Sequence, residues 1–175
     1  MKTSTFEMQV AGNDWNAKRT FYKADGGGSI GSEVLEQNFG CPLGFKNSPL
    51  DSFVAIETGD TILYDNRYSS NAALLSDLNA PGGNYHAAFP SADNTLPLAD
   101  VGYLFFDGYT KVLPGGALQM AAGYEGKGKS AGQGGVAKIF EIYSQFLGLN
   151  NSEAIVVAGW RHLVGSEGTS KYECN

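Results

Sequence analysis

Two residues could supply nucleophilic chemistry. Cys41 and His86 are the types needed for a thiolate activated by an imidazole, with Asp93, Asp100 or Asn94 available to orient the ring. Such a pair would make the chain a Cys–His hydrolase of the kind delivered as an effector. Forty-five residues separate the two and no recurrent motif surrounds either, so a buried small thiol and a loop histidine form the plainer reading. Paired carboxylates at Asp60 and Asp65, or at Asp93 and Asp100, are of the type that does acid–base work, but turns collect acids for other reasons. His86 and His162 stand alone, with no HxH, HExxH or CxxC spacing, and no metal site is expected.

The glycine-rich segment 123–135 offers a different chemistry. Residues 123–130, Gly-Tyr-Glu-Gly-Lys-Gly-Lys-Ser, spell the phosphate-cradling pattern GxxxxGK(S/T). A nucleotide-hydrolysing loop needs a helix starting at Lys129-Ser130, yet Gly132, Gly134 and Gly135 would fall in its first turns, each at a cost of about 1 kcal/mol relative to Ala. A more general anion seat uses Lys127, Lys129, Ser130, Gly132 and Gly134, with backbone N–H groups and lysines ahead of a helix. In outline this stretch resembles the coenzyme-A loop of the acetyltransferase fold whose pattern is Arg/Gln-x-x-Gly-x-Gly/Ala. It differs in having Lys at the first position and Gly135 where a bulky apolar residue is usual. The resemblance implies a small cytosolic transferase that holds a pyrophosphate-bearing, acyl-CoA type cofactor. A surface loop between two elements explains the same glycines without a ligand, and no cofactor is expected on that reading.

Either site would have to be positioned by short elements. Residues 5–10 and 19–23 read as strands around a polar turn at Gly12-Asn13-Asp14, followed by a loop at 26–28 and a short helix over 32–38 stopped by Gly40. Segments 52–57 and 61–65 form a hairpin signal about Thr58-Gly59-Asp60. Ser70 can cap a helix through Leu78 with Ala72, Leu74, Leu75 and Leu78 as its apolar positions. Residues 79–100 read as irregular. Asp107-Gly108 predicts a type I′ turn between strands 101–106 and 109–113, and 117–122 a further strand. Val136, Ile139, Phe140, Tyr143, Phe146 and Leu147 recur at helical spacing and predict the main amphipathic helix, ended by Gly148. The apolar run 154–158 reads as a buried strand packed against that helix.

Composition sets the class. The 175 residues fit a single domain, 1–175, and 42% apolar content supplies a core. Glycine is plentiful at 24 residues and charge sparse at 17%, against about 25% in ordinary domains. The expected fold is therefore α+β, a β-rich domain of antiparallel hairpins with one main helix packed on the sheet. A net charge of −6 argues against a nucleic-acid partner, since binding there runs on Lys and Arg. No apolar stretch reaches a membrane-spanning length, and no apolar leader precedes the first charged residues, so cytoplasmic synthesis is expected. Two cysteines read by default as free thiols in a reducing compartment, with a single Cys41–Cys174 bridge closing a long loop as the alternative. Taken together, a glycine-rich acidic chain with no motif in a convincing context predicts a structural subunit. It would be a homo-oligomer or part of a particle, such as a phage-type virion or tail protein, rather than an enzyme.

Overall fold

The computed structural model describes residues 2–41, 54–56, 68, 70–80, 85–90, 100–112, 136–163 and 174. Its first element is a single helix, α1, Lys2–Gly40, 39 residues long. It replaces the two strands expected at 5–10 and 19–23, the turn between them, and the loop at 26–28. Glycines at 12, 26, 27, 28 and 31 all lie inside it, and each weakens an isolated helix by about 1 kcal/mol relative to Ala. Packing offsets that cost. Thr20, Ala24, Gly27, Gly31, Val34, Asn38 and Cys41 follow one another by alternating steps of four and three residues, and all are buried. This seam faces the sheet, and its small residues let the helix backbone come close. A Cβ on Gly31 would lie 2.6 Å from Ile142 Cγ2, and one on Gly27 would collide with Ser144 Oγ and the Phe89 ring.

The described strands form one antiparallel sheet in the order β1-β2-β3-β4-β5. β1 is Ala55–Ile56, β2 Ala87–Phe89, β3 Val101–Val112, β4 Val136–Leu147 and β5 Glu153–Leu163. A second helix, α2, Asn71–Asn79, lies between β1 and β2 in sequence. β3 and β4 pair along their full length, from Val101 opposite Leu147 to Val112 opposite Val136. A single 3-10 turn, Leu149–Asn151, joins β4 to β5. It uses left-handed φ values of 56° at Asn150 and Asn151, a region asparagine tolerates well. The α+β class is the one composition predicts.

The elements that realise it differ from the expected ones. Residues 136–147 are a strand, not the main helix. The sheet is covered on both faces, so β4 buries side chains of both parities and loses the alternation that marks a half-buried strand. One face carries the α1 core of Val34, Leu35, Leu104, Phe106, Phe140, Ile142 and Phe146. The other carries α2, whose Leu74 and Leu78 pack with Tyr68, Val101, Tyr103 and Phe105. Asp107-Gly108 is no turn either, because it sits mid-strand opposite Glu141 and Phe140. Gly108 is there to receive the Phe140 ring, just as Gly102 receives that of Phe89, its partner on β2.

Other expectations fare variously. Ser70 caps α2 by accepting from the Ala73 N–H, and the helix ends where expected. Leu74 and Leu78 are buried, whereas Ala72 and Leu75 face solvent. β2 interrupts the stretch expected to be irregular. The run at 154–158 is strand, but its residues alternate between partly buried and exposed instead of being buried throughout. The hairpin at 52–65, apart from β1, and the strand at 117–122 lie outside the described residues.

Candidate functional site

The free half of α1 is the least ordinary surface. Residues 4–15 are exposed on every side of the helix. Among them Phe6 is 66% accessible, Met8 72% and Trp15 61%. The seam that packs on the sheet from Thr20 onward continues in the same three–four rhythm back through Ala17, Asn13, Val10 and Phe6, where no described residue covers it. Met8, Trp15 and Tyr22 form a second line at seven-residue intervals on another side of the helix, all three exposed. A helix apolar along two lines is built to be surrounded by protein. Within this half Lys18 Nζ pairs with Asp14 Oδ2 at 2.7 Å, an i, i+4 contact worth about 0.2–0.5 kcal/mol to a helix.

A polar collar marks where the helix leaves the sheet. Arg19 Nη2 donates to Asp100 Oδ2 at 2.8 Å and Lys23 Nζ to Oδ1 at 2.7 Å. Between them Thr20 Oγ1 lies 2.8 Å from Ser152 Oγ in the turn joining β4 and β5. Lys23 also sits 4.7 Å from the Phe146 ring centroid, and Arg19 5.6 Å from that of Trp15. Asp100 holds a φ of 86°, which turns its carboxylate toward the helix just ahead of β3. One end of β3, β4 and β5 is thereby tied to one turn of α1.

The sheet face opposite α1 carries an acidic pair. Asp107 faces Glu141 across β3 and β4, and the Tyr143 hydroxyl donates to Glu141 Oε2 at 2.6 Å. Burial, then the neighbouring Glu141, hold the Asp107 carboxyl above its usual range, with the Gly108 N–H working the other way. The hydrogen bond to Glu141, aided by burial, pushes Tyr143 up to about 12. Among the described residues no group of three or more His, Cys, Asp or Glu side chains could hold a metal ion.

The residues singled out from sequence are not gathered at one centre. Cys41 forms a disulfide with Cys174, Cα atoms 5.0 Å apart, so its sulfur is no thiolate and the expectation of free thiols is corrected. His86 is fully buried and its Nδ1 accepts the Phe106 backbone N–H at 3.0 Å, while the His86 backbone N–H donates to the Leu104 carbonyl. The imidazole thus extends the β2–β3 ladder by one bond and keeps Nδ1 unprotonated. Asp100 belongs to the α1 collar rather than to His86. His162 lies on β5 against α1, stacked on Phe39 at 4.1 Å and 3.4 Å from Glu36 Oε2. Lys127, Lys129, Ser130, Gly132 and Gly134 lie outside the described residues, as do Asp93 and Asn94. The unpacked helix seam and the Arg19–Asp100–Lys23 collar escaped the sequence reading, although the three–four spacing from Phe6 to Cys41 signals the seam.

No protein-family model, curated protein or solved structure matches the chain. Among the described residues no helix is long and apolar enough to cross a membrane.

Proposed function

We propose that the chain is a structural subunit that assembles with further copies of itself through the free half of α1. The observation that carries this reading is the uncovered seam Phe6, Val10, Asn13 and Ala17, in register with the seam already buried on the sheet. Covering a large apolar side chain contributes about 1.5–3 kcal/mol. Phe6 and Val10 on the seam, with Met8, Trp15 and Tyr22 on the second line, supply five such side chains per subunit to set against the entropy of association. The rigid sheet domain would then decorate a bundle of helices, as in a particle, virion or tail. The Cys41–Cys174 disulfide suits an assembly that functions in an oxidising setting.

Light scattering after size exclusion tests the reading. The intact chain should run as a multimer at micromolar concentration. The variant Phe6→Asp with Trp15→Asp should be a monomer whose sheet domain still melts cooperatively. An intact chain that stays monomeric at several hundred micromolar would overturn the proposal.

A further inference from the structure

The edge of the sheet supplies a second and different contact. Among the described strands β5 is the outer one, eleven residues long, and it pairs continuously with β4 without a bulge. From Glu153 to Arg161 its outward backbone groups take no partner among the described residues. The usual guards of a free edge are missing: there is no proline, and the charges Glu153 and Arg161 lie near its two ends. The opposite edge, β1, is only two residues long.

We infer that β5 pairs antiparallel with β5 of a second copy, about a two-fold axis through Val157. This inference rests on the self-assembly reading but uses a surface remote from the free half of α1. With Val157 opposite itself, Glu153 lies opposite Arg161 of the second copy, and the same pair recurs across the axis. Ile155 then lies opposite Gly159, which has nothing within 4 Å of where its Cβ would be and leaves room for the larger side chain. All these residues share the face away from α1, because directly opposed residues in an antiparallel pair point the same way. Among the described residues Arg161 makes no side-chain ion pair or hydrogen bond, and Glu153 is held through Oε1, by Gln145 Nε2 at 2.6 Å. Ile155 and Val157, 45% and 54% exposed, would join their counterparts in one apolar strip at the centre. The register is thus matched in charge at its ends and in size in its middle.

Cross-linking reads this register directly. Val157→Cys places two thiols on the axis, with Cα atoms about 4.5–5.5 Å apart, within disulfide range. It should oxidise to a covalent dimer on a non-reducing gel, whereas Ile155→Cys, displaced about 13 Å along the strand from its copy, should not. Arg161→Glu should weaken dimerisation about tenfold, and the swap Glu153→Arg with Arg161→Glu should restore it. No cross-link at 157, or an equal one at 155, overturns the inference. If that happens while the chain still multimerises in a Phe6- and Trp15-dependent way, the assembly reading stands and only the β5 pairing is wrong. If the 157 cross-link forms in a chain indifferent to Phe6 and Trp15, the pairing stands and the helix-driven assembly is wrong.

Discussion

Arg19 and Asp100 are 81 residues apart in sequence, yet Nη2 and Oδ2 meet at 2.8 Å where α1 leaves the sheet. Lys23 takes the other carboxylate oxygen, one helical turn on. Asp100→Asn keeps a residue that tolerates a φ of 86° while removing the charge. The site is about a third exposed, so solvent screening limits the loss to roughly 1 kcal/mol. Urea denaturation at low ionic strength should show that loss, and 1 M NaCl should shrink the difference between the two proteins. A variant as stable as the parent at low salt would mean the collar is held by Thr20 and Ser152 alone.

The disulfide closes a far longer loop. Cys41 and Cys174 are 133 residues apart, and in the chain-entropy description a loop of that size destabilises the unfolded state by about 5 kcal/mol. Cys41→Ser with Cys174→Ser should therefore lower stability by about 3–5 kcal/mol, measured as a shift in the urea midpoint. The same shift should follow when the parent is unfolded in excess dithiothreitol. A parent indifferent to reductant would show that reduced and unfolded chains are constrained by other means.

Much of the class was legible and little of the element order. Low charge, abundant glycine and strand-rich segments correctly imply an α+β fold with a helix on an antiparallel sheet. Val136, Ile139, Phe140 and Tyr143 imitate a helical period at 136–147. Burial under α1 on one side and beside α2 on the other removes the alternation that would betray a strand. The glycines of α1 read as turns and hide the real helix. Gly27 and Gly31 are there for close contact with Ser144, Phe89, Ile142 and Phe106, which only the tertiary structure reveals. Cys41 and His86 were visible as residue types, but their partners, Cys174 and the Phe106 N–H, are set by long-range pairing.

The sheet face opposite α1 titrates in a defined direction. Tyr143 is raised from 10 to about 12, so its contribution to stability is complete below pH 10 and is lost as pH climbs through about 12. Asp107 is likewise raised, and for this carboxyl the favourable, protonated state is fully reached only below its ordinary value of 3.8. At neutral pH the Asp107 charge therefore opposes folding. Asp107→Asn should raise the urea midpoint at pH 7 and lose that advantage in acid. Tyrosinate absorbance at 295 nm should show a late-titrating tyrosine that disappears in Tyr143→Phe. An Asp107→Asn variant less stable than the parent at pH 7 would contradict the assignment of burial and Glu141 as the dominant effects.

The glycines of α1 divide into two kinds, and substitution should separate them by sign. Gly26 has nothing within 4 Å of where a Cβ would be, so alanine there meets no neighbour. Gly26→Ala should stabilise the protein by about 0.5–1 kcal/mol, through helix propensity and a less free unfolded chain. Gly31 is buried over β4 and β3, where a Cβ would stand 2.6 Å from Ile142 Cγ2 and 3.3 Å from Phe106 Cε1. Both neighbours are fully buried in the core, so neither can move aside without disturbing it. Gly31→Ala should lift the helix off the sheet locally and cost about 1–3 kcal/mol. The compensating change Gly31→Ala with Ile142→Leu should recover part of that loss, because leucine lacks the β-branch methyl Cγ2 nearest the seam. Thermal melts of the three variants decide the matter, because a stabilising Gly31→Ala would mean the helix does not rest on the sheet through this seam.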